Sequence, residues 1–404
     1  MLNPPSNQFR MLGAAATILC LLLSASIASA QSNEKAQGWP LFRGDAGSSG
    51  VAKTTLPGEP EVVWKHKVKD GSFESTPVIV AEGDRDPMVI VGDLDGQLIG
   101  LNLKDGKLLW QEDLGELGFT AAAAYRDGKI FIGDFDGFFH CHDLDGKPLW
   151  KYESGGEING SANFYKNLVL FGAQDGSLNA LDQKSGKLVW QYQADDQIQC
   201  STTVAGNRAF LAGCDSKLHV VDLDSGKKVA KVEIESPTGT TPATLGEHVY
   251  FGTQQGSFLA IDWKEAKIHW KRDDPLGGTS IVASAAVNDR QVVYAVRNRQ
   301  VISLDPKTGK EQWIAQLKSK VDASPVIVGD RVLVAATDGR LFMLDQKTGE
   351  TVWQKQLNGS IVGSAAVAFE RLVVATDRGL VYCLGSTEKN NQREKAWLKA
   401  RKPK

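Results

Sequence analysis

The chain has 404 residues, 42% of them hydrophobic, and a formal net charge of −2. That composition can fill a large core or repeat array and excludes a chain that stays unfolded for want of apolar side chains. The near-neutral charge offers no basic footprint for nucleic acid.

Arg10 is the only charged side chain among the first 30 residues; an apolar run from Met11 to Leu23 follows, then a small-residue stretch ending Ala28-Ser29-Ala30. This pattern predicts a secretory signal peptide over 1–30, cleaved after Ala30, and so an exported chain in the periplasm or outside the cell, with a peripheral place at the outer membrane as a further option. No later stretch approaches the roughly 20 apolar residues of a bilayer span, so no transmembrane span is expected. Cys20 follows Thr17-Ile18-Leu19 within the apolar run, so the small-residue box expected before a lipidated cysteine is missing. Residues 31–61 read as a lead-in segment.

From residue 62 to 385 the chain repeats, with tryptophans at Trp110, Trp150, Trp190, Trp270, Trp313 and Trp353 and Ala230 where one would fall. A period of about 40 residues built of short strands predicts an all-β fold, an eight-bladed β-propeller of four-stranded blades. Most blades open on a small residue and a hydroxyl, as in Ser75-Thr76, Gly160-Ser161, Cys200-Ser201, Thr240-Thr241, Ala283-Ser284, Ala323-Ser324 and Gly363-Ser364, with Ala121-Ala122 as the exception. Small side chains suit the innermost strand, where blades crowd the axis. The second strand ends on another small column that includes Gly92, Gly133, Gly172 and Gly252, followed by hairpin signals such as Asp95-Gly96, Asp136-Gly137, Asp175-Gly176 and Asp338-Gly339. Turns such as Lys184-Ser185-Gly186 and Lys347-Thr348-Gly349 then lead into the outer strand with its tryptophan, whose ring is expected to bury against the neighbouring blade with its N–H free to bond outward.

Eight openings begin near residues 73, 119, 158, 198, 238, 281, 321 and 361, yet the eighth stops at Leu384-Gly385 without an outer strand. Glu61-Val62-Val63-Trp64-Lys65 carries the repeat's tryptophan ahead of the first blade, and is expected to close the ring by pairing with the third strand of the last. The docking tryptophans are then Trp64, Trp110, Trp150, Trp190, Trp270, Trp313 and Trp353, all structural. Residues 386–404 form a basic tail, with seven basic against two acidic side chains from Glu388 onward, and read as disordered.

Few side chains suggest chemistry. His140-Cys141-His142 places both imidazoles on one face of a strand, at most two metal ligands, and His142 falls in a column otherwise aliphatic, which marks it as core. Asp93-Leu94-Asp95 and Asp134-Phe135-Asp136 pair carboxylates that suit calcium or a basic partner, although turn formation alone accounts for them. Cys141 and Cys383 read as buried free thiols, whereas Cys200 and Cys214 flank a hairpin and suit a cross-strand disulfide in an oxidising compartment, unless a one-residue offset sets them on opposite faces. No catalytic, cofactor-binding or metal residue is assigned.

The segment Asp175-Gly176-Ser177-Leu178-Asn179-Ala180-Leu181-Asp182-Gln183-Lys184-Ser185-Gly186-Lys187-Leu188-Val189-Trp190 resembles the pyrroloquinoline-quinone-like, or tryptophan-docking, repeat. The likeness spans residues 62–385, and Trp39-Pro40-Leu41-Phe42-Arg43-Gly44 resembles the lead-in of secreted bacterial members. The resemblance implies one of two roles: a quinoprotein alcohol dehydrogenase, or a non-enzymatic scaffold similar to the BamB subunit of the outer-membrane assembly machinery. The dehydrogenase alternative needs pyrroloquinoline quinone, calcium and an aspartate base, and its relatives carry an adjacent Cys-Cys pair and long insertions. This chain has no Cys-Cys pair, and its largest departures are Glu82 to Pro87 and Asp273 to Gly278. The expectation is therefore a monomeric, non-catalytic propeller that binds envelope or secreted proteins without a cofactor. A third reading, a propeller that senses a small ligand, would use the hydroxyl column from Thr76 to Ser364 in the axial channel, unless those hydroxyls only satisfy neighbouring backbone groups.

Overall fold

A computed structural model describes residues 38–115, 118–273 and 278–387. The expected signal peptide and nearly all of the basic tail lie outside the described residues, as do the central residues of the Asp273 to Gly278 loop. The described residues fall in one unit, Ala36–Lys404. Every regular element in them is a β-strand, and the strands form eight sheets.

Six sheets are four-stranded antiparallel meanders whose strands pair in chain order, and the other two build on the same meander with a strand from the start of the described chain. The third blade is representative: Asn163–Tyr165 is innermost, followed by Leu168–Gly172, Ser177–Asp182 and Leu188–Gln193. The two middle strands are buried but for the half-buried Asp182 at the end of the third, whereas the outer strand is exposed except at the half-buried Trp190 and the buried Tyr192, as expected where one face meets a neighbour and the edge meets water. The last blade is completed from the other end of the chain. Glu61–Lys67 pairs antiparallel with Leu380–Gly385, Glu61 opposite Gly385 and Trp64 opposite Cys383, so the ring closes by the predicted strand exchange and hides two edges that would otherwise invite association.

The core lies between blades. Phe139 of the second blade stacks on Phe171 of the third at 4.0 Å between ring centroids, and Phe258 of the fifth on Tyr294 of the sixth at 4.1 Å. The small column at the end of each second strand has the same origin. A side chain at Gly92 would strike the ring of Phe119, and one at Gly133 would strike Ile158, each the large residue that enters the following blade.

Trp64, Trp110, Trp150, Trp190, Trp270 and Trp313 lie against a turn glycine of the next blade, and where their N–H groups are bonded they do not point outward. Trp110 Nε1 donates to Leu144 O at 2.9 Å, Trp64 to Leu103 O at 2.8 Å and Trp313 to Gln346 O at 2.9 Å, all backbone carbonyls of the neighbour. The ring lies on the glycine of that neighbour's turn. Gly146 has φ +80°, and a Cβ there would stand 2.8 Å from the Trp110 ring, so this glycine answers both the turn and the close approach. Where the tryptophan is replaced by Ala230, the facing turn holds Ala266 at φ 52° instead of glycine. Trp263 fills the space from the other side, packing edge-on against Phe210 at 5.6 Å.

The lead-in segment proves to be part of the fold. From Trp39 to Thr54 it travels round the ring, touching the blades in order along their inner strands. Trp39 exchanges two backbone bonds with Ile79 in the first blade; Tyr125 N donates to Pro40 O at 2.8 Å, Val204 N to Ala46 O at 2.8 Å, and Val287 N to Ser49 O at 2.8 Å. Val51–Ala52 then runs parallel to Ile327–Val328 as a fifth strand of the seventh sheet, and Thr54 Oγ1 accepts from Glu370 N in the eighth blade at 3.2 Å.

Candidate functional site

Two features of this scaffold can meet a ligand: the axis and the outer rim. At the axis, the hydroxyl column forms a nearly complete ring. Ala122 N donates to Ser161 Oγ at 2.8 Å, Ser161 N to Ser201 Oγ at 2.9 Å, and Ser201 N to Thr241 Oγ1 at 3.0 Å. Thr241 N, Ser284 N and Ser324 N continue the ring to Ser284, Ser324 and Ser364, each at 2.9 Å, and Ser364 N reaches Thr76 Oγ1 at 2.8 Å. The one break is at Ala122, which offers Thr76 N no oxygen. The predicted backbone role of these hydroxyls is thus what the structure has, and the crowding of the axis explains why they are Ser and Thr.

The ring lines a cavity of about 170 Å³. Phe42 of the lead-in segment contributes to its lining, as do Glu74, Asn159, Gln199, Val282 and Asp322, each two residues before a ring position. The carboxylate of Asp322 is held by Arg297 Nε at 3.0 Å. Beside Phe42, the wholly buried Arg43 reaches the backbone carbonyls of Ser324 at 3.4 Å, Ala285 at 3.2 Å and Pro325. Burial pushes its pKa down to about 9, opposed by the charge of Asp45; the group remains a cation at neutral pH.

On the rim, each outer strand pairs on one side only. The residue before the docking tryptophan points to solvent. In the first three blades that residue is Leu109, Leu149 and Val189, and in the fourth Val229 holds the same place before Ala230, all between 47% and 55% exposed, with Leu108 and Leu188 exposed beside them. His269 and Gln312 interrupt the series in the fifth and sixth blades, before Val352 in the seventh. The surface was legible as adjacent apolar pairs, Leu108-Leu109 and Leu188-Val189, that break strand alternation. The placing of Phe42 and Arg43 beside the axis had no such signal, because nothing local marks an arginine that will be buried among carbonyls.

The remaining sequence candidates are structural. His140 Nε2 lies 2.7 Å from Asp134 Oδ2, a buried pair inside the second blade. His142 is 1% exposed with neither ring nitrogen bonded, and burial first, then neighbouring His140, lowers its pKa to about 4. Asp93 and Asp134 are buried and cap their own turns, Oδ1 of each accepting from the backbone N–H four residues on at 2.8 Å, while Asp95 and Asp136 face solvent. Among the described residues no three His, Cys, Asp or Glu side chains form a group able to hold a metal ion.

The Cys200–Cys214 disulfide is not formed: Cys141, Cys200, Cys214 and Cys383 are all free thiols. The register explains this. Thr203 stands opposite Phe210 and Val204 opposite Ala209, and the same pairing carried outward sets Cys200 against Gly213. The one-residue offset turns the two thiols to opposite faces. Burial raises the pKa of Cys200 to about 12.

No helix among the described residues is long and apolar enough to cross a membrane. Comparison with known proteins gives the fold a wide context. No curated protein matches the sequence. BamB from Moraxella catarrhalis superposes with a TM-score of 0.69 at 17% identity, covering 81% of this chain and 100% of that one. The quinohemoprotein alcohol dehydrogenase ADHIIG from Pseudomonas putida HK5 does so with a TM-score of 0.71 at 12% identity, covering 87% and 81%. The computationally designed Ika8 protein gives 0.68 at 18% identity, covering 79% and 98%. Identities this low establish a shared fold and nothing about activity. The family model described as outer membrane protein assembly factor BamB matches residues 94–285 and 275–387, most of the chain, and the chain belongs to this family of repeat β-propellers.

Proposed function

We propose that the protein is an exported, non-catalytic propeller that acts as a scaffold for other proteins of the bacterial cell envelope. The observation that carries this reading is the rim: four consecutive blades present aliphatic side chains half-exposed at equivalent positions on strands with an open edge. Exposed aliphatic side chains repeated at equivalent positions suit interaction with a partner, and an open strand edge adds backbone donors and acceptors for an extended one. Membership in the assembly-factor family supports a partner within the envelope, and the signal-peptide pattern over 1–30 supports export to the periplasm or beyond.

The alternative is a quinone- and calcium-dependent alcohol dehydrogenase. The residues at the axis fit that pair poorly. The cavity of about 170 Å³ is smaller than the roughly 300 Å³ at which pockets for drug-sized ligands begin, Phe42 takes up part of its lining, and one of its two carboxylates is engaged by Arg297.

Site-specific photo-crosslinking tests the scaffold reading. A photoreactive residue at Leu149 or Val189 is expected to give discrete adducts with envelope proteins, and one at Gln312 far fewer. Equal labelling at all three positions, or none, would overturn it.

A further inference from the structure

We propose that the axial cavity is a binding site for a small oxyanion, a carboxylate or inorganic phosphate. The argument starts from proton counting in the hydroxyl ring. Each of Thr76, Ser161, Ser201, Thr241, Ser284, Ser324 and Ser364 spends a lone pair accepting a backbone N–H. Its own O–H proton then needs an acceptor, and none of the seven finds one among the described residues. All seven side chains are less than a tenth exposed, and all line the same cavity.

An eighth donor joins them at the break in the ring. The Thr76 N–H has Ala122 where its neighbours have a hydroxyl, so it too is unanswered by protein. Donors thus converge on one axial space.

Charge points the same way. The Arg43 guanidinium lies against the backbone of Ser324 and Ala285, next to the ring, and its bonds go only to neutral carbonyls. A buried positive charge behind a ring of O–H dipoles, with Asp45 near enough to act on it but hydrogen-bonded to Ser49 instead, favours an anion, as backbone N–H groups do in anion-binding concavities. Opposing it at the mouth are two carboxylates. Asp322 is neutralised by Arg297, and Glu74 is solvent-exposed, where water and salt screen it. A volume of about 170 Å³ equals roughly five waters at 30 Å³ each, enough for one acetate or phosphate with part of its shell. This inference stands apart from the scaffold reading.

The test is calorimetric titration of the purified protein with sodium phosphate, sodium acetate and sodium chloride at constant ionic strength. The expected result is one-to-one uptake of phosphate or acetate, each competing with the other, with chloride at least tenfold weaker. The tighter of the two identifies the source as a phosphate or a carboxylate. Val282→Glu places a carboxylate at the half-exposed mouth and should weaken uptake at least tenfold; Val362→Glu, at the equivalent place two blades on, repeats the test should the first variant fail to fold. No saturable heat with either oxyanion, or equal affinity in the folded glutamate variant, would overturn the proposal.

Discussion

Ala122→Ser should stabilise this protein. Seven of the eight positions around the axis hold an amide-to-hydroxyl bond of 2.8–3.0 Å between neighbouring blades, and only the first blade's Thr76 N–H lacks its acceptor, because residue 122 ends at a methyl group. A serine Oγ there adds the missing oxygen, and the adjoining cavity leaves room for it. The new bond should contribute about 0.5–1.5 kcal/mol, and ending the isolation of a buried amide adds to that, so a net gain of about 1 kcal/mol is expected. The reverse change, Ser284→Ala, strands the Thr241 N–H that now reaches Ser284 Oγ at 2.9 Å and should cost about 1–3 kcal/mol. Urea unfolding of the two variants beside the parent measures both signs with one assay, and is preferable to a melting scan because in a chain this long 1 kcal/mol moves Tm by no more than about 2 °C. A destabilised Ala122→Ser protein, or two variants indistinguishable from the parent, would refute the idea that the ring ties the blades together.

Other expectations follow from the same packing. His142→Leu should raise stability by about 1–3 kcal/mol, since both ring nitrogens are buried without partners. It should also flatten the pH dependence: the unfolded imidazole takes up a proton near pH 6.5 and the folded one only near 4, so the parent loses stability as pH falls from 6.5 towards 4, and urea midpoints at pH 7 and pH 5 will show whether the leucine variant loses less. Ala230→Trp alone should destabilise, because Ala266 stands where a docking glycine belongs; adding Ala266→Gly should recover part of the loss, with a coupling of about 1 kcal/mol in a double-mutant cycle and near zero if the two sites are independent. Thiol titration of the signal-cleaved chain in denaturant without reductant should find four reactive cysteines, and a count of two would restore the Cys200–Cys214 bond.

The repeat made most of the fold readable before any coordinates. Tryptophan spacing, the small columns and the Asp-Gly hairpins each report one contact that recurs in every blade, and recurrence is what a single sequence can display. Even the ring closure was visible, because Trp64 repeats the signal in a place where no blade precedes it. The lead-in strap was not. Its contacts are mostly backbone bonds to the inner strands, with Asn163 Nδ2 and Thr54 Oγ1 serving the third and eighth blades, so they make no periodic side-chain demand, and the place of Phe42 in the cavity lining and of Arg43 beside it depends on that path. The cysteine pair shows the limit of spacing arguments: a one-residue register difference in a hairpin decides whether two side chains meet, and turn composition did not specify it.

The scaffold account is tested most directly by native mass spectrometry of the purified protein incubated with pyrroloquinoline quinone and calcium. The account predicts the mass of the protein alone, with no stoichiometric quinone adduct. A one-to-one quinone–calcium complex would contradict it, and would make alcohol oxidation the activity to measure next.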